Sequence, residues 1–174
     1  MALYLYETVP NEAHREDPGA VVADIGELLT AAGAEVIESQ VTRGATQIFT
    51  VAEVADDAVA PELDASDLDA VSVSEPAKVR IVGADLADIK AARPAAGYLV
   101  EWDIPAEIDM DSYLTRKKAN APRYADVPEV SFLRTYVRED TLKCLCFYDA
   151  PDEEAVVRAR SAVSTPISRL HELV

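Results

Sequence analysis

The chain has few of the residues from which most catalytic and metal centres are built. It has two histidines, two cysteines and one tryptophan among 174 residues. It also contains no glycine-rich phosphate loop, no serine-centred nucleophile elbow and no paired Cys-x-x-Cys motif. Local motifs therefore indicate no reaction class, and whether the protein is an enzyme stays open on the sequence.

Basic residues are scarce as well. Lysine and arginine number 16 against 32 aspartates and glutamates, which gives a net charge of −16. Such a charge argues against nucleic acid and against anionic membrane surfaces as partners. An acidic surface of this kind is typical of a high-salt cytoplasm or, as we favour, of an ordinary acidic protein from a GC-rich genome.

Long apolar runs are missing too. No segment approaches the roughly 20 apolar residues that span a bilayer. The first residues alternate like a β-strand and lack the basic and apolar regions of a signal peptide. We therefore expect a cytoplasmic protein that has no membrane partner.

The two cysteines fall in one predicted strand. Alternation places Cys144, Cys146 and Tyr148 on one face of that strand and Leu145 and Phe147 on the other. A disulfide between two cysteines of one strand face would be strained. We therefore expect two reduced thiols, which suits the cytoplasm.

The chain contains a weak internal repeat. The strand at Cys144–Tyr148 has a fainter copy around Ile48, and the run 98–101 resembles the run 4–7, each with a proline soon after it. Both halves predict the order β-α-β-β-α-β, the ferredoxin-like motif. The predicted fold class is α+β: two tandem ferredoxin-like (βαββαβ) repeats with antiparallel sheets packing as a pseudo-dimeric α/β barrel. The predicted divisions are a diverged N-terminal repeat at 1–93, a linker at 94–97 and a C-terminal repeat at 98–174.

Three local predictions test this fold assignment. Residues 55–63 predict a short second helix for the first half, weakened by Pro61. In the second half, Asp111 is expected to cap a helix that runs to about Ala121. A further helix is expected to begin at Asp152.

Polar residues mark candidate ligand contacts. Glu7 and Glu101 hold matching places in the two first strands, where a glutamate among apolar residues is costly to bury unless it is paired. Either residue would be a polar anchor or a general base whose pKa burial raises, or else a rim residue or a partner of Arg134. Arg134 and Tyr136 share a strand face and would line an anion-accepting pocket or cover a sheet rim.

The sulfur residues are the candidate metal ligands. Cys144 and Cys146 would offer two thiolates to a soft metal, with Tyr148 nearby. His171 would complete such a site with Glu101 or Cys146, or be a structural residue in the last strand. The simpler interpretation, which we favour, is that both cysteines are small apolar residues of a β core.

The second half, about 96–174, resembles a known family. The resemblance is carried by Tyr98-Leu99-Val100-Glu101, by the block from Lys143 to Pro151, by Glu154-Ala155-Val156, and by Pro166 with Arg169. It is similar to small bacterial ferredoxin-like domains of unassigned function, whose best-described type is a dimeric nickel-binding protein. The whole layout is more distantly similar to the dimeric α/β-barrel group of monooxygenases, isomerases and haem-associated enzymes. The resemblance implies nickel or another transition metal as a cofactor, and a homo-oligomer.

Three functions remain as hypotheses. The first is a protein that binds or senses a metal ion or small ligand. The second is a cofactor-free enzyme (isomerase, cyclase or monooxygenase) in which Glu101 acts as a base while Tyr148 and Arg134 stabilise an oxyanion. The third is an assembly module without a ligand.

Overall fold

The computed structural model describes residues 1–92 and 95–174. Arg93 and Pro94, where the predicted first repeat ends and the predicted linker begins, lie outside the described residues. The chain forms two compact units, Met1–Val79 with Val174, and Arg80–Leu173. The division at 93, 94–97 and 98 drawn from the sequence repeat stays a prediction.

The first unit is built on a four-strand ladder. Its elements are β1 (Ala2–Pro10), α1 (Pro18–Ala31), β2 (Glu35–Val41), β3 (Ile48–Val54), β4 (Ala70–Val73) and β5 (Ala77–Val82), whose last three residues belong to the second unit. The strand order is β2-β3-β1-β5, and β4 also pairs with β1. One apolar stripe of α1, formed by Val21, Ile25 and Leu29, packs in the core of this unit. The first strand thus lies between the third and the last, as the ferredoxin-like motif requires.

The predicted helix at 55–63 is wrong. In this segment the structure shows turns and irregular backbone between β3 and β4. Pro61 has no N–H to give to a helix, and its carbonyl instead accepts a hydrogen bond from the Tyr6 hydroxyl at 2.6 Å. The first repeat therefore has one helix before β5 where the motif has two.

The second unit keeps the full motif. After α2 (Leu86–Ala92) it contains β6 (Tyr98–Asp103), α3 (Met110–Asn120), β7 (Ser131–Arg138), β8 (Lys143–Asp149), α4 (Glu153–Ala162) and β9 (Arg169–Glu172). Its strand order is β7-β8-β6-β9, and the pairs are antiparallel. The α+β class and the ferredoxin-like order predicted for this half are confirmed.

Side chains cap the starts of α2, α3 and α4. At α2 the carboxylate of Asp85 accepts a hydrogen bond from the Ala87 N–H at 2.9 Å. The carboxylate of Asp152 accepts a hydrogen bond from the Ala155 N–H at 2.8 Å at the start of α4. For α3 the predicted cap is wrong: Asp109 accepts from the Ser112 N–H at 2.8 Å, and Asp111 lies inside the first turn. Within the described ranges, no helix is long and apolar enough to cross a membrane.

The two faces of the β7-β8-β6-β9 ladder differ, as alternation predicts. Cys144, Cys146 and Tyr148 lie with Trp102 in a core that α3 and α4 cover. The opposite face carries an alternate set of residues, all of them buried: Leu99, Glu101, Tyr136, Leu145 and Phe147. Side chains on these two faces belong to different environments, which separates the candidate site residues into two groups.

Candidate functional site

The sulfur of Cys146 is surrounded by hydrogen-bond donors. Its register partner on β7 is Thr135, whose hydroxyl donates to Sγ at 3.2 Å. Arg160, which points inward from α4, donates to the same sulfur from Nη1 at 3.3 Å. A hydrogen bond from Cys144 lowers the pKa of Cys146 well below its usual value, and Lys117, Arg160 and Thr135 add to this effect against the cost of burial. The geometry therefore favours a thiolate at Cys146.

Cys144 has the opposite character. Its hydrogen bond to Cys146 and its burial both raise the pKa of its thiol. The pair thus shares its charge unequally, because two adjacent buried thiolates would repel each other. Cys144 is therefore the member of the pair that holds its proton more tightly.

Arg160 joins the thiolate to a phenol pair. Nη1 also donates to the Tyr148 hydroxyl at 3.1 Å, and Nη2 donates to the Pro166 carbonyl at 2.7 Å. The Tyr148 hydroxyl lies 2.7 Å from that of Tyr124. Burial raises the pKa of Tyr148 well above its usual value, so this phenol stays neutral. Arg160, 2% exposed, is therefore the centre of a buried polar network.

A small pocket opens beside this network. Its volume is about 40 Å³, which is room for roughly three water molecules. Three cationic side chains line it, namely Arg116, Lys117 and Arg160, and no carboxylate is among the lining residues in the described part of the chain. The other lining residues are Trp102, Tyr113, Asn120, Ala121, Tyr124, Phe132, Cys144, Cys146, Val163 and Thr165. In a chain of net charge −16, this is a locally positive cavity.

Three residues of the pocket lining each carry a buried donor that lacks an acceptor. These donors are the Tyr113 hydroxyl and the Nε atoms of Arg116 and Arg160, for which no described residue provides a hydrogen-bond acceptor of sound geometry. Burial, followed by the neighbouring Cys144 and Cys146, raises the pKa of Tyr113, so its hydroxyl keeps its proton. The hydroxyl also neighbours the Cys144 sulfur, which is a weak hydrogen-bond acceptor. Buried donors are normally satisfied, so these three atoms have hydrogen-bonding capacity that the described residues leave unused.

Glu101 lies in a different cluster. Its Oε1 accepts from Lys143 Nζ at 2.9 Å, and its Oε2 accepts from Arg169 Nε at 2.8 Å and His171 Nε2 at 2.7 Å. Burial raises the pKa of Glu101, but the hydrogen bonds from His171, Lys143 and Arg169 together lower it to about 2. The expectation of a raised pKa is therefore wrong, because cations rather than apolar groups surround the carboxylate.

The predicted site residues divide between the two sheet faces. Cys144, Cys146 and Tyr148 meet on the helix-covered face. Glu101 and His171 meet on the other face, since Cys146 pairs with Val100 and neighbouring residues of a strand point in opposite directions. The structure does not bring Glu101 or His171 to the thiols, so one site containing all of them is not formed.

The remaining predicted residues lie elsewhere. Arg134 is buried, with Cζ 4.8 Å from the Phe147 ring centroid, and the Tyr136 ring meets Phe147 edge-on at 5.8 Å. In the first unit, Glu7 accepts a hydrogen bond from Gln47 at 3.3 Å. Their ligand-binding roles stay predictions.

Sequence reasoning missed the residues that surround Cys146. Arg160 follows Val156 by one helical turn, so it falls on the apolar stripe of α4 where an arginine is unexpected. That position was a usable signal. Thr135 and Tyr113 gave none, because their contact with the cysteines depends on strand register and on the placement of α3.

Comparison with known proteins matches the second half of the chain to one family. Residues 98–173 match the model of the family described as "Nickel responsive protein SCO4226-like". This match confirms the resemblance drawn from the second half of the sequence. No curated protein has a significant match to the chain.

Two solved structures resemble the chain over its whole length. A candidate chlorite dismutase is 15% identical with a TM-score of 0.60, over 100% of this chain and 95% of the other. A candidate monooxygenase from Lactobacillus acidophilus NCFM is 9% identical with a TM-score of 0.52, over 99% of this chain and 92% of the other. At these identities the likeness shows the fold alone, and it supports the predicted fold class.

The SCO4226-like match raises the question of nickel, which the residues present do not fit. No group of three or more His, Cys, Asp or Glu side chains within the described ranges could hold a metal ion. Around Cys146 the available donors are two sulfurs and neutral phenols, whereas nickel sites draw on imidazole, carboxylate or further thiolates. Arg160 already donates to Cys146 and would repel a cation there.

Proposed function

We propose that this protein is a small-ligand-binding, responsive protein whose second half takes up a small anion in the pocket beside Arg116 and Arg160. The observation that carries the proposal is the set of three buried donors without an acceptor. An anion has acceptors and no donors, so it can accept hydrogen bonds from such groups, and the lining cations offset the cost of taking its charge out of water. The cations of the lining supply the opposite charge.

The volume of the pocket sets the size of the anion. Room for roughly three waters suits three or four heavy atoms, as in formate or nitrate. A flat organic substrate would require the lining to move. The enzyme hypothesis has less support, because a carboxylate with a pKa of about 2 is a poor base near neutral pH.

Nickel is the second candidate ligand, and the family match is what favours it. The donor set opposes it for the reasons given above. The two candidates have opposite charge, so a single binding measurement distinguishes them.

The only tryptophan provides that measurement. Trp102 lines the pocket and is 4% exposed, with the Arg116 guanidinium 5.5 Å from its ring. We expect its emission to change saturably when sodium formate is titrated against sodium gluconate at constant ionic strength. Nickel chloride in the same buffer is expected to give no saturable change.

Two matched substitutions locate the site. Tyr113→Phe removes one orphan hydroxyl and is expected to weaken formate binding about tenfold, the worth of a hydrogen bond to a charged group. Tyr4→Phe makes the same chemical change in the first unit and should leave the affinity unchanged. A response to nickel, or a formate response equal in both variants, would contradict the proposal.

A further inference from the structure

Cys146 combines hydrogen bonds from two side chains with a place in the lining of the pocket. Thr135 and Arg160 donate to it at 3.2 and 3.3 Å, and it lines the pocket although its own surface is buried. Arg160 and Tyr113 belong to the same lining, and the Nε of Arg160 and the hydroxyl of Tyr113 are buried without a hydrogen-bond partner. Donors around the sulfur stabilise a thiolate nucleophile, and further donors without an acceptor can stabilise the charge on a leaving group.

We propose that Cys146 is an oxidation site for small hydroperoxides that enter this pocket. Hydrogen peroxide has two heavy atoms, and the pocket volume of about 40 Å³ admits it. Larger hydroperoxides are expected to react more slowly, because the same volume excludes them. This inference goes beyond anion binding and does not require it.

The chemistry balances within the pocket. The Cys146 thiolate attacks one peroxide oxygen, an S–O bond forms and the O–O bond breaks. The sulfur loses two electrons and the peroxide gains them, giving a sulfenic acid and hydroxide, which takes a proton from solvent and leaves as water. Arg160 and Tyr113 are placed in the lining from which they can donate to the departing oxygen.

Cys144 is not expected to convert the sulfenic acid into a disulfide. Residues two apart in a strand have Cα atoms roughly 6.6 Å apart, near the upper limit for a disulfide, and their side chains point the same way. Cys144 thus serves as an internal control of equal burial that lacks the Thr135 and Arg160 donors.

The test compares the two cysteines within one folded protein. The full chain is treated with limiting hydrogen peroxide and dimedone, and the adduct on each cysteine is measured by peptide mass spectrometry. We expect Cys146 to be labelled at least tenfold more than Cys144. Thr135→Val, which keeps the shape of the side chain and removes one donor to the sulfur, should lower Cys146 labelling several-fold.

Equal labelling of both cysteines, labelling only in urea, or no effect of Thr135→Val in a folded variant would overturn the inference. Because both cysteines are read in the wild-type chain, the result stands even if a variant fails to fold. Sodium formate separates this inference from the proposed function. If formate protects Cys146 from labelling, the result supports both proposals. If formate does not alter the labelling, the oxidation site is supported and the anion-binding proposal is contradicted.

Discussion

At the scale of single residues, charge pairing decides what each buried polar group can do. Glu101 is 1% exposed, yet it stays ionised because Lys143, Arg169 and His171 all donate to it. Cys146 is equally buried, and its donors likewise favour the charged form. In both cases neighbouring cations favour the charged form, and Cys146 is among the residues that line the pocket described above.

Glu101 should make stability depend on acid. Its folded-state pKa of about 2 lies below the ordinary value of 4.5, so its contribution is present above about pH 4.5 and is lost as pH falls toward 2. We expect Glu101→Gln to cost about 2–3 kcal/mol at pH 7 and progressively less below pH 4.5, measured by urea unfolding.

The control for this change is Glu107→Gln, at an exposed position of the same unit. It should shift the free energy of unfolding by no more than about 0.5 kcal/mol at any pH. A constant cost of Glu101→Gln from pH 7 to pH 3 would show that the carboxylate is not specifically held ionised in the fold.

Two glycines should respond to alanine with opposite signs. Gly83 has φ +85°, and a Cβ there would overlap the Phe132 ring, so Gly83→Ala should destabilise by about 2 kcal/mol or more. Gly26 lies inside α1 with open space around it, so Gly26→Ala should stabilise by up to about 1 kcal/mol. Thermal and urea unfolding of both variants measure these changes. A change of the same sign in the free energy of unfolding of both variants would contradict the described backbone.

At the scale of elements, the start of α3 differs from the start that the sequence predicts. Asp109 caps α3, whereas Asp111 only lies in its first turn. Asp109→Ala should therefore cost about 1 kcal/mol, and Asp111→Ala a few tenths. If Asp111→Ala lowers the free energy of unfolding more than Asp109→Ala does, Asp111 is the cap, as the sequence predicted.

Most elements followed from local patterns, and the exceptions have physical reasons. Alternation in β8 predicted the shared face of Cys144 and Cys146, because strand geometry is local. The helix expected at 55–63 did not form, since Pro61 breaks its hydrogen bonding and its carbonyl binds Tyr6. The grouping of site residues was beyond the sequence: whether Glu101 shares a face with Cys146 depends on strand register, which neither strand encodes alone.

At the scale of the whole molecule, net charge should dominate the response to salt. A charge of −16 makes the folded state repel itself, and salt screens that repulsion. We expect the melting temperature to rise by roughly 3 °C or more between 0.05 and 0.5 M sodium chloride. A fall would mean that the ion pairs of the Glu101 cluster outweigh the repulsion.

The fold is shared along the whole chain with solved structures that are 15% and 9% identical, while the family match covers residues 98–173. The first half therefore keeps the architecture, and the polar pocket belongs to the second unit. Self-association into a homo-oligomer stays a prediction, which light scattering coupled to size-exclusion chromatography would check.

The most direct test of the account is anomalous diffraction from a crystal soaked in sodium bromide. Bromide is a single-atom anion that fits the pocket, and its position is measured independently of any spectroscopic signal. The account predicts a bromide peak within hydrogen-bond distance of Tyr113 and the Nε atoms of Arg116 and Arg160, absent in a crystal of Tyr113→Phe. A pocket that holds only water, with bromide scattered over surface sites, would contradict it.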